Sequence, residues 1–309
     1  MGKKLQILLA TCNSELWLGA QLDSIMAQDF QDFEILIRDG GSTDGTMALI
    51  RQYQRQFPGK IVFLGQARAK ACENFSELLS RSDGDLIMFS DHDDVWMPDK
   101  ISASVAAYRK LEEQYGVQTP ILLFSDAVVV DRQLNVLAPS LIRYQNLDPR
   151  QLILRRLILQ NVPSGNGMLI NRALAELALP IPETAVMHDH WLALTTAAFG
   201  KFCFLERPTL YYRQHGDNVF GASHYSLPAF CRRLKLGREK IQARFEQNIV
   251  QAVAFGQRYG DRLSPEERGL LADLADWQEL GFWERRKRLW RHRLQKSGFL
   301  RNLGMYLTV

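Results

Sequence analysis

The chain has 309 residues, 46% hydrophobic and 23% charged, enough apolar material for one large domain or two ordinary ones, which excludes a disordered or low-complexity fibre. Its apolar runs stop well short of the roughly 18 residues that span a bilayer; Ile121–Val130 is interrupted by Asp126, and Trp191–Phe199 is no longer. The formal charge of +4 is uneven: residues 1–220 carry 21 Lys and Arg against 25 Asp and Glu, and 221–309 carry 17 against 9, so a mildly acidic body precedes a basic tail.

The sequence enters a strand-like stretch at once, without the apolar core of a signal peptide, and its cysteines (Cys12, Cys72, Cys203, Cys231) are scattered with no CxxC pair. A reduced, cytoplasmic protein is expected. Gln6–Ala10 reads as a strand, and Leu18, Leu22, Ile25 and Met26 give helical spacing over Glu15–Gln28. Glu34–Arg38 is a second strand, Thr43–Phe57 a helix stopped by Pro58-Gly59, and Lys60–Leu64 a third strand. Asn74–Arg81 follows as a short helix and Asp85–Ser90 as a fourth strand. Strands this apolar, alternating with helices, predict an α/β fold with a parallel sheet covered on both faces and right-handed crossovers. Ligands in such sheets bind beyond the carboxyl ends of the strands. The polar clusters Thr11–Glu15, Asp39–Asp44 and Asp91–Asp94 each follow a strand and should share that rim.

Farther on, Ile121–Val130, Gly167–Ile170, Lys201–Leu205 and Pro208–Arg213 read as strands and Thr184–Ala198 as a helix. After Ser226 the pattern turns helical and basic, with an N-cap, a first-turn proline and a capping-box glutamate in Ser264-Pro-Glu-Glu267. Phe282–Arg301 sets Trp283, Trp290 and Leu294 among eight Lys and Arg, with no acidic residue after Glu284. That is the pattern of an interfacial amphipathic helix, and equally of a solvated helix packed through its tryptophans or a dimer contact. Residues 1–225 are expected to form one domain and 226–309 a helical, basic extension. No nucleic-acid partner is expected, since the charges come with no reading motif.

Asp91-His92-Asp93-Asp94 places three carboxylates within four residues at a strand end. Hard oxygen ligands of this kind suit Mg²⁺ or Mn²⁺; the alternative is a solvated turn capping the next helix. Asp39-Gly-Gly-Ser-Thr-Asp-Gly-Thr46 is a glycine-rich strand-to-helix turn, able to cradle phosphate or merely to cap its helix through Ser42 or Asp44. Asp189 reads by itself as a helix-capping or surface carboxylate, and His215 as a loop histidine. Asn161, Ser164 and Asn166 form a polar loop before a strand that would suit an acceptor.

Together, Leu9-Ala-Thr-Cys-Asn13 with Glu15, Gln21-Leu-Asp-Ser-Ile25, the Asp39–Thr46 turn, Ser90-Asp-His-Asp-Asp-Val-Trp96, Met187-His-Asp-His-Trp191 and Tyr212-Arg-Gln-His-Gly-Asp-Asn-Val219 resemble the family 2 inverting glycosyltransferases of GT-A fold, closest to the bacterial rhamnosyltransferase-like branch. The resemblance runs from residue 5 to about 221 with the motifs in the family's order. It implies a Rossmann-like nucleotide-binding sheet in which Thr11, Glu15 and Asp39 hold the donor's base and ribose. Asp91 and Asp93 match the DxD carboxylates, Asp93 carrying the metal and Asp91 reaching ribose or metal-bound water; His215 approaches the diphosphate or the metal. Asp189 matches the general base on the acceptor hydroxyl, with His188 and His190 placed to tune it. The implied donor is a nucleotide sugar, dTDP-L-rhamnose or a UDP-hexose. The implied acceptor is a growing bacterial surface glycan of the polyprenyl-linked kind, met at the inner face of the plasma membrane. A catalytically silent nucleotide-sugar-binding subunit is the alternative, and intact Asp91, Asp93 and Asp189 argue against it. Three departures stand out: Cys12 replaces the usual Tyr, Gly40 the usual second Asp, and His92 sits inside the carboxylate motif.

Overall fold

The computed structural model describes residues 3–216 and 227–309, with the backbone alone for 227–238 and for 240. The end of the Tyr212–Val219 motif and the expected boundary at 225 lie outside the described residues. The chain divides into two compact units: residues 1–141, 163–181 and 187–222 form the first, and 142–162, 182–186 and 223–309 the second.

The first unit is a nine-stranded sheet. Strand β1 (Leu5–Thr11) is buried along all seven residues, as a central strand covered on both faces must be. It pairs in parallel with β2 (Phe33–Asp39) on one side and β4 (Leu86–Ser90) on the other, and β3 (Ile61–Gln66) completes that half beyond β2. The connecting helices are α1 (Leu18–Met26), α2 (Thr46–Gln56) and α3 (Ala71–Arg81). Because β1 leads out to β2 and β3 while β4 returns on its other flank, the strand order reverses between β1 and β4. In such sheets a crevice opens beyond the strand ends at that reversal.

The other half is mixed, as the less regular pattern after residue 120 suggests. After β5 (Val95–Trp96), helix α4 (Lys100–Tyr115) leads to β6 (Ile121–Val130) and the short β7 (Val136–Ala138). Strand β8 (Met168–Asn171) inserts antiparallel between β4 and β6. Strand β9 (Lys201–Arg213) runs parallel to β6 and antiparallel to β5. The sequence pattern suggests two strands where β9 is one: it passes through Pro208 because its register with β6 shifts there, so the missing proline N–H falls at a bulge.

In the second unit the helix Leu227–Tyr259 buries Phe245, Ile249, Ala252, Phe255 and Tyr259, and Phe245 packs on Trp277 with ring centroids 5.3 Å apart. Ser264 caps Pro265–Ala272 through the reciprocal bonds with Glu267 that the sequence signals. The stretch Phe282–Arg301 is not one helix. Phe282–Arg291 stops where Arg293 takes φ 49°, the Arg293 N–H donates to Trp290 O, and the Leu294 N–H donates back to Leu289 O. This is a Schellman turn, and it drives Leu294 inward beside Leu289, both fully buried. A final helix, Phe299–Thr308, follows Gly298 at φ 87°.

Candidate active site

The rim is built by hydrogen bonds between the turns after β1 and β2. Asp39 is fully buried; its Oδ1 accepts from Thr11 Oγ1 (2.8 Å) and Ser42 Oγ (2.6 Å), and its Oδ2 from the N–H groups of Gly41 (2.9 Å) and Ser42 (2.7 Å). Burial alone would raise this carboxyl's pKa, but the donors from Ser42, Thr11 and Gly41 outweigh it and hold the group below the usual carboxylate range. The first turn is stitched to the second by Asn13 N–H to Ser42 Oγ (2.7 Å), Ser14 N–H to Thr46 Oγ1 (2.7 Å) and Gly45 N–H to Glu15 Oε2 (2.8 Å). Gly40 has a steric reason: a Cβ there would meet Asn74 Nδ2 at 2.8 Å and Ala69 O at 3.2 Å. Thr11, Glu15 and Asp39 therefore stand together, with Thr11 and Asp39 shaping the turn and Glu15 at its exposed edge.

Beyond β4, carboxylate oxygens of Asp91, Asp93 and Asp94 lie within 4.8 Å of one another. Burial first, then the charges of Asp93 and Asp189, push the Asp91 carboxyl up to about 8. Asp94 is raised as well, by its burial and by both neighbouring aspartates. Asp94 is the third carboxylate of this cluster, beside the Asp91 and Asp93 that the sequence singled out. His215 supports the cluster from outside: its Nε2 is 2.8 Å from Asp93 Oδ2, and its ring stacks on Trp17 at 5.3 Å and 17°.

The framework behind these carboxylates includes residues that sequence reasoning passed over. Arg213 donates from Nε to Asp93 O (2.8 Å) and from its backbone N–H to Asp94 Oδ1 (3.2 Å), with its guanidinium 4.8 Å from the Trp17 ring centre. Asn166 donates to Asp94 Oδ2 (2.6 Å), which places it behind the acidic cluster; Asn161 belongs to the second unit. Lys100 is fully buried and donates to Asn166 O (2.9 Å) and Thr209 Oγ1 (3.2 Å), over the ring of Trp96. Burial lowers its pKa to about 7, against the pull of Asp94.

Asp189 lies in the first turn of the helix His188–Phe199, half-buried, and its Oδ2 accepts from Gly165 N–H at 3.1 Å. Its charge is among those that raise Asp91, so the two carboxylates share one neighbourhood. His188 does not tune it. Its ring packs between Phe75 (4.0 Å) and Phe89 (4.9 Å), neither ring nitrogen has a partner among the described residues, and burial lowers its pKa to about 3, leaving it neutral. Gly165 leaves room for this ring, since a Cβ there would come within 2.9 Å of His188 Nε2.

Residues 6–176, more than half of the chain, match the family described as Glycosyl transferase family 2. The chain belongs to glycosyltransferase family 2. An uncharacterized glycosyltransferase of Nostoc sp. is 28% identical to this chain over 217 residues, 70% of this chain and 66% of that protein, slightly under two thirds of its length. The dTDP-rhamnosyl transferase RfbG of Shigella flexneri is 27% identical over 306 residues, 91% of this chain and 94% of the relative. Among solved structures, S. aureus TarS in complex with UDP superposes with a TM-score of 0.54 at 16% identity, over 94% of this chain and 89% of that one, a likeness of fold. The chain thus has a GT-A type α/β fold followed by C-terminal helices, and among the described residues no helix is long and apolar enough to cross a membrane.

Proposed function

We propose that the protein is a metal-dependent, inverting glycosyltransferase that moves a sugar from a nucleoside-diphosphate donor to a hydroxyl of a growing bacterial surface glycan. One observation carries the reading: three carboxylates gather within 4.8 Å where the strand order reverses, and Asp189 is near enough for its charge to act on Asp91. The donor set is hard oxygen, and Asp91 and Asp94 are pushed toward protonation by burial and by the neighbouring carboxylates. A divalent cation such as Mg²⁺ or Mn²⁺ is what such a set accommodates, with Asp93 and Asp91 as ligands, Asp94 beside them and His215 steadying Asp93. Bound there, the cation would neutralise charge building on the leaving diphosphate.

The chain's own groups supply the rest. Thr11 and Asp39 hold the turn that meets base and ribose, with Glu15 at its edge and Asp91 toward the ribose. Asp189 takes the proton of the acceptor hydroxyl as that oxygen bonds to the anomeric carbon. The bond from that carbon to the diphosphate oxygen breaks on the opposite face, so configuration inverts and nucleoside diphosphate departs. The Gly165 N–H fixes one oxygen of Asp189 for this task. The full-length Shigella relative favours dTDP-L-rhamnose as donor; the fold shared with TarS in its UDP complex favours a UDP-hexose as the second reading. A polyprenyl-linked acceptor would place the reaction at the inner face of the plasma membrane.

The test is product analysis by NMR with each donor and Asp189→Asn alongside. Wild type should give product of inverted anomeric configuration. Asp189→Asn should keep donor binding while turnover falls about 10²–10⁴-fold. Retained configuration, or near-normal turnover of a folded variant, overturns the assignment.

A further inference from the structure

We propose that the outward face of the last two helices of the second unit, Phe282–Arg291 and Phe299–Thr308, docks the protein on an anionic lipid bilayer. The claim is independent of the sugar-transfer chemistry. At 100° per residue, positions four and seven apart share a helix face. In the first helix Leu289 turns inward and is fully buried, while Trp283, Lys287 and Trp290 recur on the opposite side; Trp283 is 73% and Trp290 79% exposed. In the second, Gly304, Met305 and Thr308 are buried, and Phe299, Leu303 and Leu307 recur outward, Phe299 at 76% exposure. The two helices are braced as a pair. Arg286 donates to Phe282 O (2.8 Å), to Val309 O (2.7 Å) and to Tyr306 O, and its guanidinium lies over the Phe282 ring. Arg286 falls between Phe282 and Trp290 on the helix circumference, so the end of the second helix abuts the edge of the tryptophan stripe.

Charge selects the occupant. Residues 285–309 carry eight Lys and Arg and no Asp or Glu. Glu284, Asp276 and Asp273 pair with Lys287, Arg288 and Arg291, and over residues 273–309 eight Lys and Arg stand against four Asp and Glu. A second copy docked on this face about a two-fold axis would press those cations against their equivalents, a repulsive arrangement. An anionic headgroup layer accepts both components: tryptophans at the interface, Phe and Leu at the acyl boundary, cations among phosphates. As neither helix is long and apolar enough to span, the contact is interfacial.

The experiment is co-sedimentation of the full chain with vesicles of phosphatidylglycerol and phosphatidylcholine in equal parts, and with phosphatidylcholine alone. Wild type should pellet with the anionic vesicles, less so as salt rises, and stay in solution with the neutral ones. The double variant Trp283→Glu, Trp290→Glu should bind anionic vesicles at least about tenfold more weakly, and Trp283→Phe, Trp290→Phe should retain most of the binding. Unchanged circular dichroism and melting temperature show that both variants are folded. The proposal is overturned if wild type stays in solution with anionic vesicles or if the glutamate variant binds as wild type does. It is equally overturned if sedimentation velocity shows a wild-type dimer that the glutamate variant converts to monomer while neither binds vesicles.

Discussion

Both units concentrate charge, in opposite ways. In the first, Asp91, Asp93 and Asp94 are drawn within 4.8 Å of one another and backed by Arg213, Asn166 and the buried Lys100. In the second, the cations are spread along the surface, and several are met singly: Arg288 by Asp276, Arg291 by Asp273, Lys287 by Glu284. Exposed pairs of this kind contribute little, about 0–1 kcal/mol each, because water and salt screen them. Like charges held out of water are costly and persist where surrounding groups over-determine their position, and perturbed carboxylates of that sort cluster at working sites. The difference accords with the proposed roles, chemistry at the rim and a presented surface at the tail.

Substitutions of decreasing severity sharpen that contrast. Asp93→Ala should remove the group joined to His215 and lower turnover by about a thousandfold, near 4 kcal/mol of transition-state stabilisation, measured as steady-state sugar transfer at saturating Mn²⁺. Arg213→Met strips donors from Asp93 O and Arg132 O and unstacks Trp17; denaturant unfolding should show a loss of about 2–3 kcal/mol.

His188 gives a pH signature. Its imidazole ordinarily titrates at 6.5 and here at about 3, so in that window the unfolded chain binds a proton that the native state refuses. Stability should therefore fall as pH drops from 6.5 toward 3, and stability curves of His188→Leu should be flatter there and about 1 kcal/mol higher at neutral pH. At the mild end, Trp290→Ala on the exposed face should leave unfolding free energy within about 0.5 kcal/mol of wild type. A large loss at Trp290 together with a mild one at Arg213 would break the contrast between buried and presented charge.

Much of this was legible in residue order. The apolar cores of β1, β2 and β4 (Ile7–Ala10, Ile35–Ile37 and Leu86–Phe89) alternate with helical stretches, which fits a sheet covered on both faces, and the polar residues after each strand fall at one rim. Pattern reading falters where a single residue's surroundings decide its role. Lys100 looks like any cation at a helix start, and nothing local announces that it lies under Asn166 and Thr209. His188 and Asp189 are adjacent, yet the helix turns one into an aromatic pocket and the other to the Gly165 N–H. Arg293 ends its helix in a conformation that glycine would have signalled, which is why Phe282–Arg301 reads as one helix. Asp94 joins Asp91 and Asp93 because all three follow β4 directly, while His215 reaches Asp93 from beyond β9.

The central claim is that the carboxylate cluster holds a nucleoside diphosphate through a divalent cation. Thermal unfolding with dTDP and with UDP, each with Mn²⁺ and with EDTA, in wild type and in Asp93→Ala, tests it most directly. Wild type should be stabilised by about 2.7 kcal/mol at one hundred times the dissociation constant, with Mn²⁺ alone, and the preferred nucleotide names the donor. Equal stabilisation in EDTA or in Asp93→Ala, or no response to either nucleotide, would contradict it.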